Sequence, residues 1–329
     1  MSTLRVACGQ LCSSSNLLGN AKIVVKLIHK AIAEGAEVLF LPEAADYISR
    51  DAAHSMNLAN TSQEKFISVI QNELKLLHLL SKKSINVSVG VHEPSNSDST
   101  TGSADASGLK KVQNNLLWID QLGEITQRYQ KIHLFDINIT DGPILKESNS
   151  VEPGKKVLEP FPVSKGSNFN VGYGICYDIR FPELCLRLRK LGAHIITYPS
   201  AFTTKTGQAH WQALGRARAI DLQTYVIMAA QSGEHDVNAD LKLDGASGTK
   251  SSTDRKKRVS YGNSVIFDPW GNLLAQAKKF DDDVSGNIDE DGDYYELIVA
   301  DLDLDSLETI RRDMPLLEHR RPDVFGYEI

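Results

Sequence analysis

The sequence predicts an α/β fold, a four-layer α-β-β-α sandwich with two pseudo-symmetric halves. Short apolar, β-prone segments alternate with helix-period segments along the chain. Gly35-Ala36-Glu37-Val38-Leu39-Phe40-Leu41-Pro42 is echoed by Gly192-Ala193-His194-Ile195-Ile196-Thr197-Tyr198-Pro199. Asn115, Asp120 and Gly123 are matched at identical spacing by Asn263, Asp268 and Gly271. Two echoes in the same order point to two similar halves, each with one sheet, packed face to face with helices outside.

The elements follow in order. Leu4–Leu11 reads as a strand and Asn20–Glu34 as a helix, with Ile23, Leu27, Ile28 and Ala31 on one face. Val38–Leu41 is a short buried strand cut by Pro42 and followed at once by Glu43. Thr61 and Glu64 have capping-box spacing at the head of an apolar run to Leu80. Ile85–Val91 is the next strand, and Asn115–Tyr129 a hairpin turning near Leu122-Gly123, with Lys131 just beyond. Phe169–Ile175 is a buried strand; Phe181, Leu184, Leu188 and Leu191 then take helical spacing, with Pro182 in the first turn. Gln208–Ile220 reads as a helix, Tyr225–Gln231 and Glu296–Asp301 as strands, and Leu304–Arg312 as a helix. The chain, 1–329, reads as one domain with polar insertions near 95–111, 235–260 and 281–293. The third is acidic and reads as mobile. Arg255-Lys256-Lys257-Arg258 in the second reads as a solvated cluster rather than a binding patch.

A net charge of −6 with no long basic run gives no footprint for nucleic acid, and no apolar stretch approaches a membrane span. Cys8, Cys12, Cys176 and Cys185 fit neither a zinc pattern nor a disulfide framework. The opening MSTLRVACGQL carries no targeting pattern, so a cytoplasmic location is expected, with a mitochondrial fraction left open.

Cys176 falls on the turn between a strand and a helix. A thiol there is expected to be exposed at the sheet edge, with the helix N-terminus favouring thiolate, as nucleophilic catalysis requires. A buried cysteine acting as a small hydrophobe fits the same position. As proton acceptors, His210 and His133 are candidates, but Glu43 is more pointed. It directly follows the strand end at Pro42, in the first-half echo of the segment that follows Cys176, where enclosure by apolar neighbours would raise its pKa. Lys131, flanked by Ile132 and Leu134, can balance Glu43 and donate to an oxyanion.

LPEA at Leu41–Ala44, YQKIHLFD at Tyr129–Asp136 and GYGICYDIRFPEL at Gly172–Leu184 resemble the three signature segments of the nitrilase superfamily of carbon–nitrogen hydrolases, in the family's order. YPSAFTTKTGQAHW, GRARAID, YVIMAAQSG, YGNSVIFDPWG and HRRPD extend the likeness over almost the whole chain. The resemblance implies an α-β-β-α fold, Cys176 as nucleophile, Glu43 as general base and Lys131 as stabiliser of the tetrahedral intermediate. It further implies the Tyr177 N–H as an oxyanion donor and Glu147 as a second glutamate beside the lysine. It implies no metal or organic cofactor, and a homodimer formed across the nucleophile-helix face.

Within the superfamily, LKES, YDIRFPEL, YPSAFTTKTGQAHW and the HRRPD tail most resemble the deaminated glutathione amidase branch, the fungal form in particular. The implied substrate is a small 2-oxo acid amide, cleaved to 2-oxoglutarate and cysteinylglycine. Such a substrate needs a cation at fixed distance from the attacked amide, and Arg180, four residues past Cys176, suits its carboxylate. A salt bridge at the helix start fits Arg180 as well. Phe202 and Thr206 are expected as pocket wall and polar contact. Two alternatives stand beside this reading: an ω-amidase acting on 2-oxoglutaramate, and a non-catalytic interaction protein on the same fold.

Overall fold

The computed structural model describes residues 2–81, 84–95, 111–138, 144–243 and 257–326. The first half contains β1 (Thr3–Leu11), α1 (Leu17–Ala33), β2 (Val38–Phe40), α2 (Ala52–Ser62), α3 (Ser68–Ser81), β3 (Asn86–Pro94), β4 (Val112–Ile119) and β5 (Ile125–Gln130). The second contains β6 (Phe161–Pro162), β7 (Asn170–Tyr173), α4 (Pro182–Lys190), β8 (Ile195–Thr197), α5 (Thr204–Leu222), β9 (Tyr225–Met228), β10 (Val265–Phe267) and β11 (Leu273–Gln276). The chain then runs through β12 (Tyr295–Asp303) into α6 (Leu304–Asp313).

The two sheets repeat one topology. In the first, β1, β2 and β3 are parallel neighbours, followed by antiparallel β4 and β5. In the second, β7, β8 and β9 are parallel neighbours, followed by antiparallel β10 and β11. Each gains an antiparallel edge strand, β12 beside β1 and β6 beside β7. The paired echoes are the same structure made twice. Asp120 Oδ1 accepts from the N–H groups of Leu122 and Glu124, and Asp268 Oδ1 from those of Trp270 and Asn272. Gly123 and Gly271 both take positive φ, 76° and 87°, the left-handed conformation that closes the turn without a Cβ clash.

Alternation along these strands separates three cores. Val6, Val38, Phe40, Leu116 and Trp118 meet Tyr173, Ile195, Tyr225, Ile227 and Ile266 between the sheets. Their sequence neighbours point outward: Leu39 and Leu117 pack beneath α1 and α3, and Ile196, Val226 and Phe267 beneath α4 and α5. Strands buried on both faces read as continuous apolar runs.

Three segments differ from expectation. Thr61 is not a helix cap: the helical path begins at Ala52, with Asp51 accepting from the His54 N–H at 2.8 Å, and continues through a π-helical stretch at Gln63–Ile67. Polar His54, Ser55 and Ser62 lie on its buried face, which disguised the first turns. The acidic segment is tied down, because Lys26 Nζ contacts Asp289, Asp291 and Asp293 at 2.7, 2.7 and 2.8 Å. The insertion after Gly233 is closed at its base by antiparallel pairing of Ser232–Glu234 with Val259–Tyr261, and a short helix, Ala239–Leu243, follows. Residues 96–110 and 244–256 of the polar insertions lie outside the described residues.

Gly90 on β3 lies against the chain carrying Glu43. Its N–H donates to Pro42 O at 3.1 Å, and its carbonyl accepts from Ala45 N–H at 2.8 Å. A Cβ at Gly90 would lie 2.5 Å from Pro42 O and 2.6 Å from Glu43 Cα, both backbone atoms. Gly90→Ala is therefore expected to cost about 1–3 kcal/mol by overpacking. Urea unfolding measures it, and an unshifted midpoint would mean that the Glu43 loop yields freely.

Candidate active site

The site lies where strand ends of the two sheets converge. Glu43 follows β2, Lys131 follows β5 and Cys176 follows β7. Cys176 has φ 48°, a left-handed conformation rare for a non-glycine residue. Its N–H is fixed to Pro199 O at 2.9 Å. Backbone held in this region is a strain that the surrounding structure must impose.

Glu43, Lys131 and Glu147 form a buried charge cluster. Lys131 Nζ donates to Glu43 Oε1 at 2.9 Å and to Glu147 Oε1 and Oε2 at 3.0 and 2.9 Å. The Lys131 side chain is 2 % exposed and that of Glu43 7 %. Asn114 Nδ2 bridges the two carboxylates, at 2.8 Å to Glu43 and 3.3 Å to Glu147. Ala201 N–H donates to Glu43 Oε2 at 3.0 Å, and Phe135 N–H to Glu147 Oε2 at 2.7 Å.

These contacts set the protonation pattern. Burial pushes the Glu43 carboxyl up, but Lys131 and hydrogen bonds from Lys131, Cys176 and Asn114 outweigh it and leave the pKa below its ordinary value. The raised value expected from apolar neighbours is thus corrected. Burial pushes Lys131 down, and Glu147 and Glu43 reverse it, so the ammonium is held charged. Burial, then the Glu43 charge, hold the Cys176 thiol well above its ordinary value against the pull of Lys131. The expected thiolate at a helix N-terminus is also corrected. Cys176–Arg180 is a separate 3₁₀ turn, α4 starts only at Pro182, and Cys176 is half-buried. The resting site is a thiol beside a carboxylate.

Sequence reasoning missed the residues that hold this arrangement. Asp178 is fully buried in the turn after Cys176. Its Oδ2 accepts from Tyr129 Oη at 2.8 Å and Ile175 N–H at 2.9 Å, and its Oδ1 from His133 N–H at 3.0 Å. The two sheets are thereby clamped at the Cys176 turn. His133, also 2.7 Å from Asp178 through Nδ1 and stacked on Phe181, is committed to that clamp rather than to Cys176. Gln231 Nε2 holds the carbonyls of Glu43 and Ala44 at 3.1 and 3.0 Å. Three polar residues, Gln113, Asn114 and Asn115, interrupt the apolar β4, a signal that could have exposed Asn114.

All eight predicted site residues, Glu43, Lys131, Glu147, Cys176, Tyr177, Arg180, Phe202 and Thr206, line one cavity of ≈ 720 Å³. Arg180 makes no salt bridge at the helix start among the described residues. Its Nη2 lies 3.1 Å from His210 Nδ1, and its guanidinium stands 5.9 Å from the ring centres of both Tyr177 and Phe202. Phe202 packs edge-on against Trp211 at 4.9 Å, and Thr206 is tied to the helix cap Thr203, Oγ1 to Oγ1, at 2.9 Å. His210 is turned to Arg180, and His235 in the cavity wall is held neutral, pushed down to about 4 by burial. Lys257 and Arg258 also line the cavity, which corrects their reading as a merely solvated cluster; Arg255 and Lys256 lie outside the described residues.

Lys131→Met would leave two buried carboxylates without their cation, an expected loss of about 3–5 kcal/mol in urea unfolding at neutral pH. The pH dependence follows from the shifts. Depressed Glu43 stabilises above its unfolded pKa and loses that contribution as pH falls through its lower folded value. The raised Lys131 stabilises below its unfolded pKa and loses that contribution as pH rises through its folded value. The penalty of the variant is therefore expected to shrink on acidification; a pH-independent difference would contradict the pairing.

The carbon-nitrogen hydrolase family model matches residues 5–312. The chain is 42% identical over 321 residues to the "Probable hydrolase nit2" of Schizosaccharomyces pombe, covering 97% of this chain and 98% of the relative. It is 34% identical over 322 residues to the human "Deaminated glutathione amidase", covering 98% of this chain and 83% of that protein. Its structure resembles that of the Caenorhabditis elegans NitFhit protein, with a TM-score of 0.77 and 32% identity over 100% of this chain and 67% of the other. The chain belongs to the carbon–nitrogen hydrolase family, as a nitrilase-superfamily enzyme that acts on amides.

Proposed function

We propose that the enzyme hydrolyses deaminated glutathione to 2-oxoglutarate and cysteinylglycine through a thioester on Cys176. A protonated Cys176 thiol in one cavity with an ionised Glu43 and a charged Lys131 carries the mechanistic part of this reading. As Cys176 Sγ attacks the amide carbon, its proton passes to Glu43. Lys131 Nζ and the Tyr177 N–H, free of an intrahelical acceptor at the head of its 3₁₀ turn, stabilise the oxyanion. Glu43 then protonates the departing nitrogen, the C–N bond breaks and cysteinylglycine leaves. Glu43 next takes a proton from water; the hydroxyl adds to the thioester, sulfur leaves, and the proton returns to it. Glu147 and Asn114 keep Lys131 and Glu43 in register for both halves of the cycle.

Two observations support the substrate. Curated relatives carry the name deaminated glutathione amidase over nearly the full chain. Arg180 also presents its guanidinium to the cavity with no carboxylate partner among the described residues, as recognition of a 2-oxo carboxylate requires.

Brief mixing with deaminated glutathione, followed by intact-mass analysis and product assay, tests the reading. Cysteinylglycine release is expected, lost in Cys176→Ala and reduced about 10²–10⁴-fold in Glu43→Gln. The acid limb of kcat/KM is expected below the ordinary carboxylate range, since Glu43 must lose its proton to act and does so at a depressed pKa. Ammonia from 2-oxoglutaramate with no turnover of deaminated glutathione would assign an ω-amidase instead. Turnover surviving Cys176→Ala would end the thioester mechanism.

A further inference from the structure

The ribbon beside the active site is fixed to it by backbone contacts. Ser260 bridges Thr203, Tyr261 N–H donates to Phe202 O at 2.9 Å, and His235 N–H donates to Arg258 O at 2.9 Å. His235 sits between Ser13 O, 2.7 Å from Nδ1, and Ser260 Oγ, 2.8 Å from Nε2. From this base, Lys257 and Arg258 reach the cavity wall beside Ser49 and Thr203. Arg258 Nη1 donates to Ser49 O at 2.7 Å and so spans the rim between loops from the two halves.

Both cations have capacity for an anion. One donor of Arg258 is spent on a neutral carbonyl, and it forms no ion pair among the described residues. A guanidinium offers five N–H donors in a fork suited to carboxylate. Lys257 is paired with Glu234 at 2.8 Å, but the two side chains are 73% and 52% exposed, and an exposed pair of this kind contributes little and exchanges readily. Lys131 is fully engaged by Glu43 and Glu147, whereas Arg180 and Arg258 form no ion pair among the described residues.

Resting on the proposed substrate, we infer that Lys257 and Arg258 form a second carboxylate subsite, which grips the terminal carboxylate of the leaving dipeptide while Arg180 takes the 2-oxo acid. An extended two-residue leaving group places its carboxylate about 7 Å beyond the scissile nitrogen, and Lys257 and Arg258 line the same cavity as Cys176. The subsite selects amides with an anionic peptide leaving group over those that release ammonia.

The test compares deaminated glutathione with its glycinamide form, which lacks only that charge. The wild type is expected to show a KM roughly tenfold lower for the free acid, with similar kcat. In Lys257→Gln/Arg258→Gln the ratio should fall to about one, by a rise in KM for the acid, and Arg258→Lys should restore part of it. Equal KM values in the wild type, or a ratio kept by the double variant, would overturn the subsite. The wild-type comparison needs no variant to fold. A wild type that cleaves neither compound but releases ammonia from 2-oxoglutaramate would instead overturn the substrate assignment on which the subsite rests.

Discussion

Everything at this site depends on one ammonium buried between two carboxylates. Lys131 is 2 % exposed and within 3.0 Å of both Glu43 and Glu147. Alone, each of the three charges would be expelled or neutralised by burial. Together they keep Glu43 ionised in a dry setting, and that ionised carboxylate in turn keeps the proton on Cys176. Cys176 thus rests as a thiol beside a carboxylate rather than as a thiolate. Since nucleophilicity at sulfur rises with thiol pKa, a proton transfer delayed until attack, as in the mechanism we propose, would favour a reactive sulfur.

The repeated topology explains how so few residues can be brought together from distant parts of the chain. Each half ends a strand of its parallel run at the same rim, β2 presenting Glu43 and β7 presenting Cys176. Asp178 joins the halves through Tyr129 and His133, and Ala201 N–H reaches across to Glu43. The central core of Phe40, Trp118, Tyr173 and Ile227 fixes the distance between the sheets. The positive φ of Cys176 is sustained because Pro199 O, Asp178 and the neighbouring strand all constrain the turn. The site lies at the seam of two packed layers: Glu43, Lys131 and Glu147 come from the chain before β6, and Cys176 and the Ala201 N–H from the second half.

Much of this was legible in the chain because its causes are local. Strand and helix periodicity, the Gly-Ala turns and the Asp-x-x-Gly hairpins depend on neighbours a few residues away, and their duplication exposed the two halves. Glu43, Lys131 and Cys176 were found from strand-end positions, and their family resemblance gave them roles. The start of α2 was hidden because its inward face carries His54, Ser55 and Ser62, polar residues whose partners lie outside the helix: Asp240 in the short helix of the insertion for His54, and Tyr47 in the loop ahead of α2 for Ser55. Asp178 and Gln231 were missed for the same reason: a polar residue is ordinary in sequence until burial makes its hydrogen bonds obligatory.

The sequence by itself determined the layered α/β class, the doubled architecture and which reactive side chains meet in the cavity, because period, turn residues and reactive groups are properties of short segments. Tertiary structure alone decided the charge states. Apolar neighbours in sequence argued for a raised Glu43, yet Lys131, 88 residues away, depresses it. A nearby helix argued for a Cys176 thiolate, yet burial and Glu43 keep the thiol. Likewise Lys257 and Arg258 belonged to a polar run until strand pairing brought them to the cavity rim. Electrostatic energy depends on distance through space and on the water excluded along the way, and neither is written in the order of residues.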